Sequence, residues 1–229
     1  MNNKKQIKVL IADDHMVVRE GLRKLLEAEK DIEVVGEAAN GRNAVELTLK
    51  LHPDVVVMDI AMPQMNGLEA TRQLRKAVPD AKVIILSAHS DDAYVEGVMA
   101  LGANGYLIKQ SSSHVLSEAI REVQKGNVFY SPSVSKRLNK RDRRAVDRNG
   151  LPNAKMSCLS SRELEVLQRI AEGEANKEMA MNLGISIKTV EKHRDQLMSK
   201  LDIHDTAGLT RYAIAAGIIE SSVQLTIVE

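Results

Sequence analysis

The chain predicts an α/β doubly wound parallel five-stranded sheet followed by an all-α helix-turn-helix domain. From Ile7 to about Lys125, strand-like apolar runs alternate five times with helix-like segments. Several runs end in charge: Ile7-Lys8-Val9-Leu10-Ile11-Ala12 meets Asp13-Asp14, Val55-Val56-Val57-Met58 meets Asp59, and Tyr106-Leu107-Ile108 meets Lys109. Beyond residue 155 the pattern turns wholly helical.

Short apolar runs separated by helical periodicity read as parallel strands buried on both faces. They fall at 7–12, 32–37, 54–59, 82–87 and 105–108, with helices expected over 16–29, 41–51, 67–77, 91–101 and 112–124. In the first helix Val17, Val18, Leu22, Leu25 and Leu26 are expected to share the face that covers the sheet. Regular alternation implies right-handed crossovers. In the last part Ser160-Ser161-Arg162-Glu163 starts a helix with capping-box spacing and runs to about residue 172, ahead of Gly173. A short helix starts at Asn176 and breaks at Gly184, and a third runs from Ser186 to about Leu201. Two helices joined by a tight glycine turn form a helix-turn-helix unit.

With 229 residues the chain suits two modest domains, expected over 1–130 and 156–229, joined by a basic linker at 131–155. Net charge is +1, but the three segments carry −2, +6 and −3. The linker contains Lys140-Arg141-Asp142-Arg143-Arg144 and ends in Asn149-Gly150-Leu151-Pro152-Asn153, as an exposed tether does. Cys158 is the only cysteine, which excludes an internal disulfide and a cysteine-cluster zinc site. No apolar stretch spans a bilayer, and Met1–Gln6 leads into a strand rather than a secretion signal, so a cytoplasmic protein without a membrane partner is expected. His15, His52, His89 and His114 show no ligand spacing and read as surface or cap residues.

Ligands of open α/β sheets collect at the carboxyl ends of the strands. Asp13, Asp14, Asp59 and Lys109 are therefore expected in one crevice. Carboxylates crowded together repel unless a hard cation joins them, and Mg²⁺ accepts one or two carboxylates together with phosphate oxygens and waters. The crevice reads as built for Mg²⁺ and a phosphoryl group.

These residues resemble the receiver domains of two-component response regulators, a flavodoxin-like fold. The match rests on Asp13-Asp14, on Asp59 followed by Met62-Pro63 and Asn66-Gly67, on Ser87-Ala88, and on Gly102-Ala103 through Tyr106 and Lys109. The resemblance implies that Asp59 is the phosphoacceptor, attacking a phosphohistidine to form an acyl phosphate. It implies Mg²⁺ ligation by Asp14, Asp59 and the Ala61 backbone carbonyl, with Asp13 acting through a coordinated water. Lys109 would pair with the phosphoryl group, Ser87 would donate its hydroxyl to it, and Tyr106 would move inward behind Ser87 as a switch. Gln110 stands where many receivers place a proline in a cis bond. A non-proline cis bond costs about 2.5–4 kcal/mol, which leaves the Lys109–Gln110 peptide geometry open.

On the third helix of the second domain, helical spacing turns Val190, Leu197 and Leu201 inward. Lys188, Glu191, Lys192 and Asp195 then face out as candidates for base edges in the major groove. Thr189, His193, Arg194, Asn176 and Lys177 are better placed for phosphates. Residues 159–218 resemble the LuxR-type DNA-binding domain, through Leu159-Ser160, Arg162-Glu163, Glu172-Gly173, Asn176-Lys177-Glu178-Met179-Ala180, Leu183-Gly184-Ile185-Ser186, Thr189-Val190, His193 and Lys200-Leu201. The whole chain resembles the NarL/FixJ subfamily. That implies a response regulator with a histidine kinase and promoter DNA as partners, homodimeric when phosphorylated, a phosphoacceptor rather than a turnover enzyme. With so few cations a monomer should bind DNA weakly, and Leu209, Tyr212, Ala213 and Ala216 are the expected partner face of the last helix. Three rivals stay open: an aspartyl phosphotransferase or phosphatase, an FMN protein whose phosphate Asp13-Asp14 would repel, and a regulator that binds DNA without needing phosphate.

Overall fold

A computed structural model of the chain describes residues 6–87, 95, 98–99, 101–109, 113–132, 134–135 and 158–219. Strands β1 (Ile7–Ala12), β2 (Ile32–Ala38), β3 (Val55–Asp59), β4 (Lys82–Ser87) and β5 (Gly105–Ile108) follow the predicted runs within a residue and pair in parallel. The sheet order is β2-β1-β3-β4-β5-β6, so the winding direction reverses between β1 and β3. Open α/β sheets bind ligands at such a reversal, outside the carboxyl ends of the strands.

A sixth parallel strand, β6 (Phe129–Tyr130), corrects the expected count of five. Two residues are too few to show a period in the sequence. Ser131 donates its N–H to the Tyr106 carbonyl, and Ser131 and Val134 are buried. The start of the expected linker therefore belongs to the packing of the first domain, while residues 136–157, with the basic run, lie outside the described residues.

The helices are α1 (Met16–Glu27), α2 (Gly41–Leu51), α3 (Gly67–Ala77) and α4 (Ser113–Gln124). Of the helix expected over 91–101, only Val95, Val98, Met99 and Leu101 are described; the first three are helical. Val9, Ile11, Val55, Val57, Ile84 and Leu107 pack on one side of the sheet with Leu26, Leu116 and Ile120, while Leu10, Val56, Met58, Val83 and Ile85 pack on the other with Leu68 and Leu74. Strands covered on both faces lose the polar alternation of a half-exposed sheet.

The expected inner face of α1 is corrected. Leu26 is buried and Leu22 half-buried, but Val17 is 78% exposed and Val18 and Leu25 are also open to solvent. α1 carries more apolar residues than the narrow stripe on the sheet can take up, so spacing alone overstates its buried face.

The second domain comprises α5 (Ser161–Ala171), α6 (Asn176–Leu183), α7 (Ile187–Leu201) and α8 (Thr206–Ala215). The expected capping box is present: Ser160 Oγ accepts from the Glu163 N–H, and Glu163 Oε2 accepts from the Ser160 N–H at 2.7 Å. Gly184, with φ 64, closes α6 in the left-handed conformation that makes the tight turn. α5 packs against α3, so the two domains share a contact. Among the described residues no helix is long and apolar enough to cross a membrane.

The four residues expected on a dimer face are buried inside this domain: Leu209, Ala213 and Ala216 are fully enclosed and Tyr212 is 9% exposed. Their stripe packs on α5, which corrects that assignment. In a domain whose described residues form four short helices, an apolar stripe closes the domain's own core before it can serve a partner. Leu209→Ala is accordingly expected to cost about 2–5 kcal/mol of stability in the helical domain, read as an earlier chemical-denaturation midpoint even where the protein is monomeric.

Candidate functional site

β1 and β3 lie side by side, with Ala12 opposite Met58, and this register brings Asp13 beside Asp59. β5 joins across β4, and Lys109 follows it directly. Lys109 Nζ lies 2.9 Å from Asp59 Oδ2 and 3.2 Å from Asp13 Oδ2. Asp13 and Asp59 are buried, and Asp14 keeps 30% of its side chain exposed. The four residues expected in one crevice meet there.

Each buried carboxylate is held from one side. Asp13 Oδ1 accepts from the His15 N–H at 2.9 Å, and Asp59 Oδ1 from the Ile60 N–H at 2.8 Å. Their other oxygens face the Lys109 ammonium, and Asp14 Oδ1, also buried, faces His15 Nδ1 at 2.8 Å. Three carboxylates against one ammonium leave a deficit that a divalent cation would cancel, and ligand atoms of Asp13, Asp14, His15 and Asp59 all lie within 4.8 Å of one another. The donor set fits a hard cation.

Burial pushes the Asp59 carboxyl up to about 6; Lys109 opposes the rise and Asp13 adds to it. Burial pulls the Lys109 ammonium down, but Asp59 and Asp13 outweigh it and hold its pKa above the ordinary value. His15 reads in the sequence as a surface residue without ligand spacing. It is 54% exposed, as expected, but its Nδ1 lies 2.8 Å from Asp14. Adjacency to the acidic pair was the signal that spacing arguments passed over.

Ser87 ends β4 as a buried residue, its carbonyl accepting from the Lys109 N–H at 2.8 Å. Tyr106 is fully buried in this arrangement, whereas the resemblance implies that it moves inward only on phosphorylation. Gln110 lies outside the described residues. Ala61 sits in the loop after Asp59, where the Ile60 carbonyl accepts from both the Met62 and Gly67 N–H groups. A Cβ on Gly67 would stand 1.9 Å from the Asp59 carbonyl oxygen. Glycine is required there for that approach. Gly67→Ala is expected to push α3 off the site, with a stability loss of about 2 kcal/mol or more and impaired cation binding, measured by thermal melting and calorimetry.

In the second domain Ser186, Lys188, Thr189, Glu191, Lys192 and Asp195 line one shallow depression on the outer face of α7. Lys188, Glu191, Lys192 and Asp195 are exposed as expected, while Val190, Leu197 and Leu201 are buried. Ser186 caps α7 by accepting from the Thr189 N–H at 3.1 Å. Arg194 Nη1 donates to Asn176 Oδ1 at 3.1 Å, which ties the middle of α7 to the start of α6, and Lys177 stands exposed at that start. His193 is half-buried with its Nδ1 enclosed, a weaker candidate for a phosphate than its spacing indicated.

The response regulator receiver domain family matches residues 9–121, and the luxR family of bacterial regulatory proteins matches residues 157–213. The transcriptional regulatory protein LiaR of Bacillus subtilis (strain 168) is 42% identical over 207 residues, covering 90% of this chain and 96% of that protein. The transcriptional regulatory protein DegU of Brevibacillus brevis is 39% identical over 214 residues, covering 89% and 91%. Among solved structures, the RcsB response regulator of Salmonella typhimurium aligns with a TM-score of 0.63 at 29% identity, over 94% of this chain and 99% of that one.

Proposed function

The chain belongs to the NarL/FixJ family of two-component response regulators, transcriptional regulators that join a receiver to a LuxR-type DNA-binding domain, and from that premise we propose that phosphorylation of Asp59 governs its dimerisation and promoter binding. The observation that carries this reading is the meeting of Asp13, Asp14, Asp59 and Lys109 at the sheet's switch point.

Asp59 Oδ2 attacks the phosphorus of a phosphohistidine on a partner kinase. The O–P bond forms, the P–N bond breaks, and the leaving imidazole takes up a proton. Lys109 gives its ammonium to the transferred group and Ser87 its hydroxyl. Asp14, Asp59 and the Ala61 carbonyl would hold Mg²⁺, with Asp13 acting through a water; the ion supplies charge neutralisation, so that one anion can approach another. Tyr106, on the strand beside Ser87, would carry the change to the surface.

On the DNA side, Lys188, Glu191, Lys192 and Asp195 read base edges, while Asn176, Lys177, Thr189 and Arg194 serve the backbone. Lys177→Ala is expected to lower the slope of log affinity against log salt by about 1 on every sequence, whereas Glu191→Ala should change the preference among sequences by about 1–3 kcal/mol. Binding titrations at several salt concentrations separate the two.

Incubation with acetyl phosphate and Mg²⁺ should add one phosphoryl mass to Asp59 and shift sedimentation towards a dimer, with neither change in Asp59→Asn. Equal dimerisation and DNA binding by both proteins would reject phosphate control. It would favour DNA binding independent of phosphate, which the exposure of the α7 face in this arrangement permits.

A further inference from the structure

The outer face of α7 carries its charge in a pattern that helix stability does not account for. Lys188 and Lys192 stand one turn apart, and so do Glu191 and Asp195, so like charges are neighbours along each row. Like-charge pairs at that spacing work against a helix. Opposite charges meet only across the rows, Lys188 with Glu191 and Lys192 with Asp195. These couples do not close on themselves. Ser186 and Thr189 are occupied with each other, hydroxyl to hydroxyl at 2.8 Å, and Arg194 with Asn176. Among the described residues no hydrogen bond or ion pair takes up the side chain of Lys188, Glu191, Lys192 or Asp195, and all four line the same shallow depression.

Base pairs differ in how they divide donors from acceptors across the major groove. A G·C pair presents guanine N7 and O6, both acceptors, on one side and the cytosine N4 amino group, a donor, on the other. An A·T pair sets its adenine N6 donor between two acceptors, adenine N7 and thymine O4. An ammonium only donates and a carboxylate only accepts. A lysine beside an acid therefore matches the divided edge of G·C, whereas on A·T the carboxylate meets an acceptor on either flank of the one donor it can use. The second couple repeats the first four residues on, a displacement of about 6 Å along the axis, and helix residues at such spacing meet neighbouring base pairs. In each couple the acid lies to the same side of its lysine, so the two guanines fall on one strand.

We infer that α7 reads G·C pairs, one with Lys188 and Glu191 and another with Lys192 and Asp195, so that the stretch under one copy of α7 carries two guanines on one strand within about three base pairs. This rests on the reading of α7 as the helix that enters the major groove. The lysines give the helix its hold and the acids its selectivity. Residues 156–229 carry a net charge of −3, which already weakens sequence-independent attraction to DNA. Glu191 and Asp195 deepen that penalty wherever no cytosine amino group meets them, because a carboxylate is repelled by phosphates and by the acceptors of an A·T edge.

The test is selection from random-sequence duplexes by the full chain, incubated with acetyl phosphate and Mg²⁺, as wild type, Glu191→Gln, Asp195→Asn and Asp59→Asn. Glu191 and Asp195 are exposed, and melting curves verify that their variants fold. Wild type should enrich sites with the paired guanines and prefer cytosine to adenine at each acid-read position by about tenfold or more. Glu191→Gln should lose that preference at one position and admit adenine, whose N6 and N7 fit a carboxamide, while binding unselected duplex several times more tightly. Asp195→Asn should do the same at the other position. Wild-type sites without the paired guanines overturn the inference and leave α7 as the reading helix. Folded Glu191→Gln and Asp195→Asn with base preferences within twofold of wild type overturn it as well. Asp59→Asn that selects the same guanine-paired sites as wild type supports the inference while rejecting phosphate control of binding. A wild-type chain that enriches no sequence overturns the inference together with the reading of α7.

Discussion

Asp59→Asn will raise the melting temperature of the metal-free protein at pH 7 while abolishing phosphoryl uptake. Burial holds the Asp59 carboxyl at about 6 against an ordinary 3.8, so between those values the folded chain binds more protons than the unfolded one. Stability therefore falls as pH rises through that window, and above about 6 the ionised carboxylate costs the fold on the order of 2–3 kcal/mol. Asparagine never pays that charge, so the variant should melt several degrees higher at pH 7 and with wild type below about pH 4. Mg²⁺ should reverse the ranking by stabilising wild type far more than Asp59→Asn. A variant that melts at or below the wild-type temperature in the absence of metal would show that the site is not electrostatically frustrated.

Lys109→Met should have the opposite effect on the metal-free fold. The ammonium is the cation shared by Asp13 and Asp59, both buried, and its removal leaves two carboxylates facing each other. Stranding buried charge of this kind costs about 2–4 kcal/mol here, less than for a fully enclosed pair because 21% of the Lys109 side chain is exposed. The Asp59 carboxyl should then rise above 6, so the loss should shrink as pH falls towards 5 and as Mg²⁺ is added. Cation affinity should increase because a competing charge is gone, while phosphorylation by acetyl phosphate slows about 100-fold or more for want of the ammonium at the phosphoryl group. Melting at two pH values, with and without Mg²⁺, checks the first part and intact mass the second. A stability loss indifferent to both pH and metal would mean that Lys109 acts by packing alone.

Much of the site was legible because parallel strands align their carboxyl ends. The runs ending at Ala12, Met58 and Ile108 require Asp13, Asp14, Asp59 and Lys109 to converge, and the structure joins Lys109 to Asp13 and Asp59 by contacts of about 3 Å, with Asp14 in the same cluster. The recognition face of α7 was legible for a similar reason, since helical spacing alone separates Val190, Leu197 and Leu201 from Lys188, Glu191, Lys192 and Asp195. Spacing failed where it says that a stripe is apolar but not what covers it. Val17, Val18 and Leu25 looked buried and face solvent; Leu209, Tyr212, Ala213 and Ala216 looked available to a partner and are closed within their own domain.

From residue order alone came the element types, the direction of the strands and the chemistry collected at their ends, because these depend on periodicity within a segment and on rules of chain connection. The tertiary structure alone decided which apolar faces were consumed, how burial lifts the Asp59 carboxyl, and that Gln168 reaches across 102 residues to the loop beside it. Those outcomes rest on distances between segments remote in sequence, and neither period nor composition encodes such distances.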